Sequence, residues 1–197
     1  DILSEKDVRI ALQHATNKQN ISDGIFYGLE KPADTLFAST VPYCDIELEP
    51  YVYDLELAGQ ILDEAGWKMG SGNVREKDGQ LLNIDLLYNS DSVTEKSIAE
   101  YLQSEYQSIG VSLNIHGEEE QSYRDNMKAG NFDMVFNICW GTPYDPQSSL
   151  AAMRAPVYGD YAAQLGLDDK AEIDDAITEI LITTDENRRQ ELYTYVL

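Results

Sequence analysis

Val8, Ala11, Leu12 and Ala15 recur at the three-and-four spacing of one helix face, and Ser4-Glu5-Lys6-Asp7 just ahead of them has the form of a capping box. The pattern predicts a first helix capped by Ser4, and a second short one from about Gln19 to Tyr27, closed by Gly28. No period holds from Leu29 to Tyr53, where Pro32, Pro42 and Pro50 deny regular hydrogen bonding. Residues 29–53 are therefore expected to form a long ordered loop. Asp54 can then cap a third helix with Leu55, Ala58, Leu62 and Ala65 on one face and Gly66 as its left-handed end. Gly70, Gly72 and the polar stretch from Arg75 to Gly79 predict a turn.

The middle of the chain changes period. Leu82 to Tyr88 is an apolar strand, Thr94 to Ile109 carries Ile98, Leu102, Tyr106 and Ile109 at helical spacing, and Val111 to His116 alternates as a strand. That order is a βαβ unit, whose strands lie parallel. A further helix, Tyr123 to Ala129, leads through Gly130 into Met134 to Cys139, a nearly continuous apolar run that suits a strand covered on both faces. Residues 82–139 thus form a βαβαβ core, and the fold class is α/β, with a small, mainly parallel sheet and flanking helices. Beyond the loop from Trp140 to Pro146 a short helix ends near Arg154 and an irregular stretch runs to Lys170. Ile173, Ile177, Ile180 and Leu181 mark one closing helix, and Asp185 and Glu186 sit in the first turn of the last. Residues 1–197 fall in the range of one ordinary domain. Opening at Asp1 without Met and closing at Leu197 inside a helical pattern, they are expected to be an excised piece of a longer chain.

Composition narrows the function classes. The chain has 197 residues, 43% of them hydrophobic, which is enough for an independent core. Its formal net charge is −22, with no Lys/Arg stripe to offset it, so nucleic acid is not an expected partner. Apolar runs such as Met134-Val135-Phe136 are far short of the ~20 residues that span a bilayer as a helix. Cys44 and Cys139 match no metal or redox spacing; they read as small buried hydrophobes, the alternative being a single bridge between them. No nucleophile elbow, phosphate-binding loop, dinucleotide fingerprint or H-E-x-x-H motif is present, and no enzyme activity or resident cofactor is expected.

Ligands of open α/β sheets gather at the carboxyl ends of the strands, which directs attention to the loops after Tyr88, His116 and Cys139. The third is the richest. In Trp140-Gly141-Thr142-Pro143-Tyr144-Asp145-Pro146 two prolines stiffen the backbone, so Trp140 and Tyr144 can stand as paired walls of a binding cleft. The plainer alternative has both rings merely covering the sheet edge. Glu118-Glu119-Glu120 could bind a hard cation, but so acidic a chain contains such runs by chance. His116 is a candidate metal ligand that lacks a partner His or Cys nearby and so reads as a solvated histidine. His14 is given no role.

Several segments carry a resemblance. Asp7-Val8-Arg9-Ile10-Ala11-Leu12-Gln13-His14-Ala15 with Asn17-Lys18, then Tyr53-Asp54 before a helix ending Glu64-Ala65-Gly66-Trp67, resemble the second lobe of the extracytoplasmic solute-binding proteins of the peptide/nickel ABC-transporter family. Arg75-Glu76-Lys77-Asp78-Gly79-Gln80, Gly117-Glu118-Glu119-Glu120, the 140–146 loop with Met153-Arg154-Ala155-Pro156, and the tail from Gly166-Leu167 to Leu197 are similar to its nickel-binding branch.

The resemblance implies one lobe of a two-lobed, class II periplasmic-binding-protein-like fold. It implies a receptor, in the periplasm or lipid-anchored on the outer face of the cytoplasmic membrane, that captures nickel or a related metal as a small-chelator complex. The partners implied are the permease subunits and the missing first lobe. Trp140 and Tyr144 match residues that contact the bound chelate in that branch, and Tyr158 falls where the branch has a nickel-coordinating histidine. A phenol, which titrates near ~10 in model compounds, is a poor nickel ligand at neutral pH. Two accounts follow: Tyr158 hydrogen-bonds to the chelator, or the cargo is a peptide or other small polar solute. Readings of other classes are an acidic hydrolase, which needs two facing carboxylates, and a protein-interaction domain, which needs a broad apolar patch.

Overall fold

A computed structural model describes residues 1–138 and 146–197. Cys139, the expected end of the third strand, lies outside the described residues. The chain divides into two compact units: Asp1–Pro32, Pro50–Asn126 and Phe132–Phe136 make one, and Ala33–Glu49, Met127–Asn131 and Asn137–Leu197 make the other. Residues 29–53 contain no helix or strand, and contribute to both.

The first unit opens differently from the sequence expectation. Ile2–Ser4 form a 3₁₀ turn in which the Ser4 hydroxyl donates to the Asp1 carbonyl at 2.6 Å. Helix α1 (Lys6–His14) therefore starts one residue later, at Glu5, without a side-chain cap. The capping box fails because both its polar groups are spent elsewhere: Ser4 on the turn, and the Glu5 carboxylate on Lys77 Nζ (2.8 Å) and Trp67 Nε1 (3.2 Å). Helix α2 (Lys18–Ile25) is capped by Asn17, and α3 (Leu55–Glu64) by Asp54, whose carboxylate accepts the Leu57 N–H at 2.9 Å. Gly66 ends α3 at φ 92°, the left-handed geometry that glycine supplies without steric cost.

Where the sequence suggests only a turn, three short strands run antiparallel in the order β1 (Lys68–Met69), β2 (Arg75–Lys77), β3 (Gln80–Leu81). Asp78 and Gly79, both at positive φ, join β2 to β3. The Asp-Gly pair is the signal for such a hairpin turn.

The parallel sheet follows with the order β5-β4-β6: β4 (Asn83–Asn89) lies between β5 (Ser112–Glu118) and β6 (Met134–Val135). Asn83 pairs with Ser112 and Leu87 with Val135. Helix α4 (Val93–Ser108), capped by Ser92, links β4 to β5, and α5 (Glu120–Ala129) follows β5. One sheet face, with Ile84, Leu86 and Leu113, joins Val8, Leu62, Trp67, Leu102 and Tyr106 in the core. The other carries exposed Asp85, Asn114 and His116. The expectation of a third strand covered on both faces is thus corrected: β6 spans two half-buried residues, and Ile138 is 61% exposed.

Arg75 pins this unit together. It is 5% exposed, and its Nε donates to the Ile109 carbonyl (2.6 Å) while Nη1 donates to the Trp67 carbonyl (2.7 Å) and to Asp63 (2.8 Å). Gly110 closes α4 at φ 83°, and a Cβ there would meet Met69 Cε at 2.8 Å and Arg75 Cγ at 2.9 Å. Gly110→Ala is therefore expected to lower stability by about 2 kcal/mol, the left-handed penalty and the clash acting together, as measured by urea denaturation. A loss no larger than at exposed Gly72, where a Cβ meets nothing, would contradict that.

The second unit is helical: α6 (Gln147–Met153), α7 (Gly159–Ala162), α8 (Lys170–Ile182) and α9 (Glu186–Val196). Helix α7 occupies part of the stretch expected to be irregular. Leu150, Met153, Ile177, Ile180, Leu192 and Tyr193 form its core. The 33–49 segment is held there by Tyr43, whose ring stacks on Tyr193 at 4.9 Å and whose carbonyl accepts from Gln190 at 3.1 Å. Cys44 is buried beside it, with its thiol pKa pushed up by desolvation. Asp185, expected in the first turn of α9, is its N-cap and accepts the Asn187 and Arg188 N–H groups.

Candidate functional site

The carboxyl ends of β4 and β5 are tied by carboxylates to backbone and side-chain donors. Glu95 accepts the Asn89 N–H at 2.8 Å, Glu120 accepts Asn89 Nδ2 at 2.5 Å, and the Ser122 hydroxyl donates to Glu118 at 2.8 Å. Two carboxylates of the acidic run, Glu118 and Glu120, thus accept from protein donors, and Glu120 also pairs with Arg124. Among the described residues no three His, Cys, Asp or Glu side chains are arranged to hold a metal ion. His116 lies on the exposed sheet face, its Nε2 3.3 Å from Asp85. Asn114 Nδ2 reaches the same Asp85 oxygen at 3.0 Å, and these two donors, Asn114 foremost, hold the Asp85 carboxyl below its ordinary range. Tyr123, buried on α5, donates its hydroxyl to the Phe136 carbonyl just beyond β6. Burial, then the charges of Glu95 and Glu120, push its pKa up, so it stays a donor.

Trp140 and Tyr144 lie outside the described residues; the segments flanking them do not. On one side, in the second unit, Asn137 Oδ1 accepts the Ile138 N–H at 3.0 Å and Asn137 Nδ2 donates to Asp160 at 3.1 Å. On the other, Pro146 is buried and its carbonyl accepts the Leu150 N–H at 3.1 Å, which starts α6. Tyr158 stands two residues before Asp160, at the N-cap of α7. Its N–H donates to the Ala155 carbonyl (3.0 Å), its carbonyl accepts from Tyr161 (3.2 Å), and its side chain projects with 51% exposure. The structure therefore ties the turn bearing Tyr158 to the residue preceding Ile138. Asn137 and Asp160 were not evident from periodicity; the trace they leave is a lone amide interrupting the apolar run from Met134 to Ile138.

A separate surface hollow of about 470 Å³ lies in the first unit, lined by Asn73, Gln103, Ser104, Gln107, Ser112 and Asn114 among others. It sits at the amino end of β5, away from the strand ends where α/β ligands gather.

Comparisons with known proteins bear on this arrangement. Residues 1–160 match the family described as bacterial extracellular solute-binding proteins, family 5 middle. The nickel-binding periplasmic protein of Escherichia coli (strain K12) is 43% identical over 195 residues, 98% of this chain and 37% of that protein. The crystal structure of NikA from Brucella suis in complex with Fe(III)-EDTA superposes with a TM-score of 0.92 at 46% identity, covering 100% of this chain and 39% of that one. A nickel ABC transporter from Bacillus halodurans gives a TM-score of 0.84 at 26% identity, covering 100% of this chain and 40% of that one. The chain spans well under half the length of these relatives.

Proposed function

The chain belongs to the bacterial extracellular solute-binding proteins of family 5, and from that premise we propose that it is one lobe of a two-lobed receptor serving an ABC importer. Its cargo is a transition metal, nickel first, wrapped in a small organic chelator, which the closed receptor hands to a membrane permease. The receptor works outside the cytoplasm, in the periplasm or tethered to the outer face of the membrane, and binds without catalysis. Trp140 and Tyr144 form apolar walls against the chelate, and Tyr158 donates a hydrogen bond to a chelator oxygen.

The observation that carries this reading is Tyr158 itself, a half-exposed phenol on a turn bonded to the segment leading into the aromatic loop. A neutral phenol serves a chelator carboxylate well and a bare nickel ion poorly. The relative crystallised with Fe(III)-EDTA, at 46% identity, holds its metal in such a wrapping.

In the full-length protein, Tyr158→Phe is expected to weaken chelate binding about 10-fold, the contribution of a hydrogen bond to a charged acceptor. Tyr158→His is expected to introduce binding of unchelated Ni²⁺, with a new ligand-field absorption band. Calorimetry with the chelate and with nickel alone measures both. Unchanged affinity in both variants would remove Tyr158 from the site.

A further inference from the structure

We propose that Asn137 and Asp160 are positioning residues for Tyr158, their hydrogen bond fixing how α7 presents the phenol to the cargo; this rests on the reading of Tyr158 as a cargo contact. Helix α7 has one turn and no side-chain cap bond, so its own hydrogen bonds fix its orientation poorly. It is held from two sides instead. On one side Gly159 lies so close to Met127 that a Cβ would come within 2.8 Å of Met127 Cγ, and Ala162 Cβ packs 3.3 Å from where a Cβ on Gly130 would stand. On the other, Asp160 accepts from Asn137 Nδ2 at 3.1 Å, while the oxygen of the same amide accepts the Ile138 N–H at 3.0 Å. Both ends of the Asn137 amide are thereby used, which fixes its orientation and leaves Nδ2 facing α7. Tyr158, adjacent to Gly159, has its direction set by these contacts.

The bond needs an acceptor at position 160, not a charge, and this separates positioning from electrostatics. Asp160→Asn retains an acceptor oxygen; Asp160→Ala and Asn137→Ala do not. The test uses the full-length protein labelled with 3-fluorotyrosine, the Tyr158 ¹⁹F resonance being assigned by its disappearance in Tyr158→Phe. Fe(III)-EDTA is the calorimetric probe. Asp160→Ala and Asn137→Ala are each expected to shift or broaden the Tyr158 resonance without ligand and to weaken Fe(III)-EDTA about 5-fold. Asp160→Asn is expected to restore both, and Gln190→Ala, which removes a side-chain bond to Tyr43 elsewhere in the unit, to leave both unchanged. A Tyr158 resonance unmoved by Asp160→Ala, or an Asp160→Asn variant as impaired as Asp160→Ala, overturns the positioning role. If the wild type binds no Fe(III)-EDTA, the cargo reading loses support, while the ligand-free resonance still decides the positioning role.

Discussion

Arg75→Met is expected to destabilise the chain by about 3–5 kcal/mol, the largest stability loss foreseen for a single substitution. The methionine stem refills most of the apolar space but donates nothing. The carbonyls of Ile109 and Trp67, each bonded to the guanidinium in a buried setting, lose their donor, at about 1–3 kcal/mol apiece. Asp63 adds little, because its carboxylate is half exposed and rehydrates. Arg75→Lys should recover only part of the loss, since one ammonium cannot reproduce a planar fork aimed at three acceptors. Acid dependence gives an independent check. The hydrogen bond from Arg75 holds the Asp63 carboxyl below its usual range, so this contribution is present above the unfolded-state pKa and fades as pH falls below about 4. The gap between wild type and Arg75→Met should therefore narrow only slightly on acidification, because the two buried carbonyl bonds, which carry most of it, do not titrate. Urea denaturation at pH 7 and pH 3.5 measures both effects, and a loss below about 1 kcal/mol at pH 7 would show that water replaces the guanidinium freely.

Trp140→Ala in the full-length protein is expected to weaken chelate binding at least about 30-fold while leaving the melting temperature nearly unchanged. Truncating a central aromatic of a binding site typically costs 2 kcal/mol or more, and that converts to about 30-fold. Tyr144→Ala should cost somewhat less, the phenol being the smaller of the two proposed walls. A side chain that only covered a sheet edge would give the opposite pattern, with a fallen melting temperature and an unaltered dissociation constant. Calorimetric titration with Fe(III)-EDTA, paired with thermal denaturation, separates the two.

Much of the fold was legible because hydrophobic periodicity dictates it. Ile98, Leu102 and Tyr106 gave α4 to within a residue or two of its ends, and Asp54 with Gly66 bracketed α3. What escaped depends on polar groups choosing among partners far apart in sequence. Ser4 and Glu5 could have capped α1, yet Trp67 and Lys77 compete for Glu5 across more than 60 residues. The three-strand meander escaped although Asp78-Gly79 announced its turn, because strands of two or three residues show no alternation to read. The apolar run ending at Cys139 suggested a fully covered strand, but apolarity alone does not show where ladder pairing stops; β6 stops after Val135. At the candidate site, Tyr158 was reached through family resemblance. The Asn137–Asp160 bond beside it spans 23 positions and becomes visible only once the chain is folded.

The central claim is that the receptor containing this chain takes its metal already wrapped. Its most direct measurement is calorimetric titration of the full-length, metal-stripped protein with Ni²⁺ alone, nickel bound by an organic chelator, Fe(III)-EDTA, and a short peptide. The account predicts saturable one-to-one binding of the chelates, with bare Ni²⁺ and the peptide binding at least about 100-fold more weakly, a gap of about 2.7 kcal/mol. Tight binding of bare Ni²⁺, or of the peptide in place of every chelate, would contradict it.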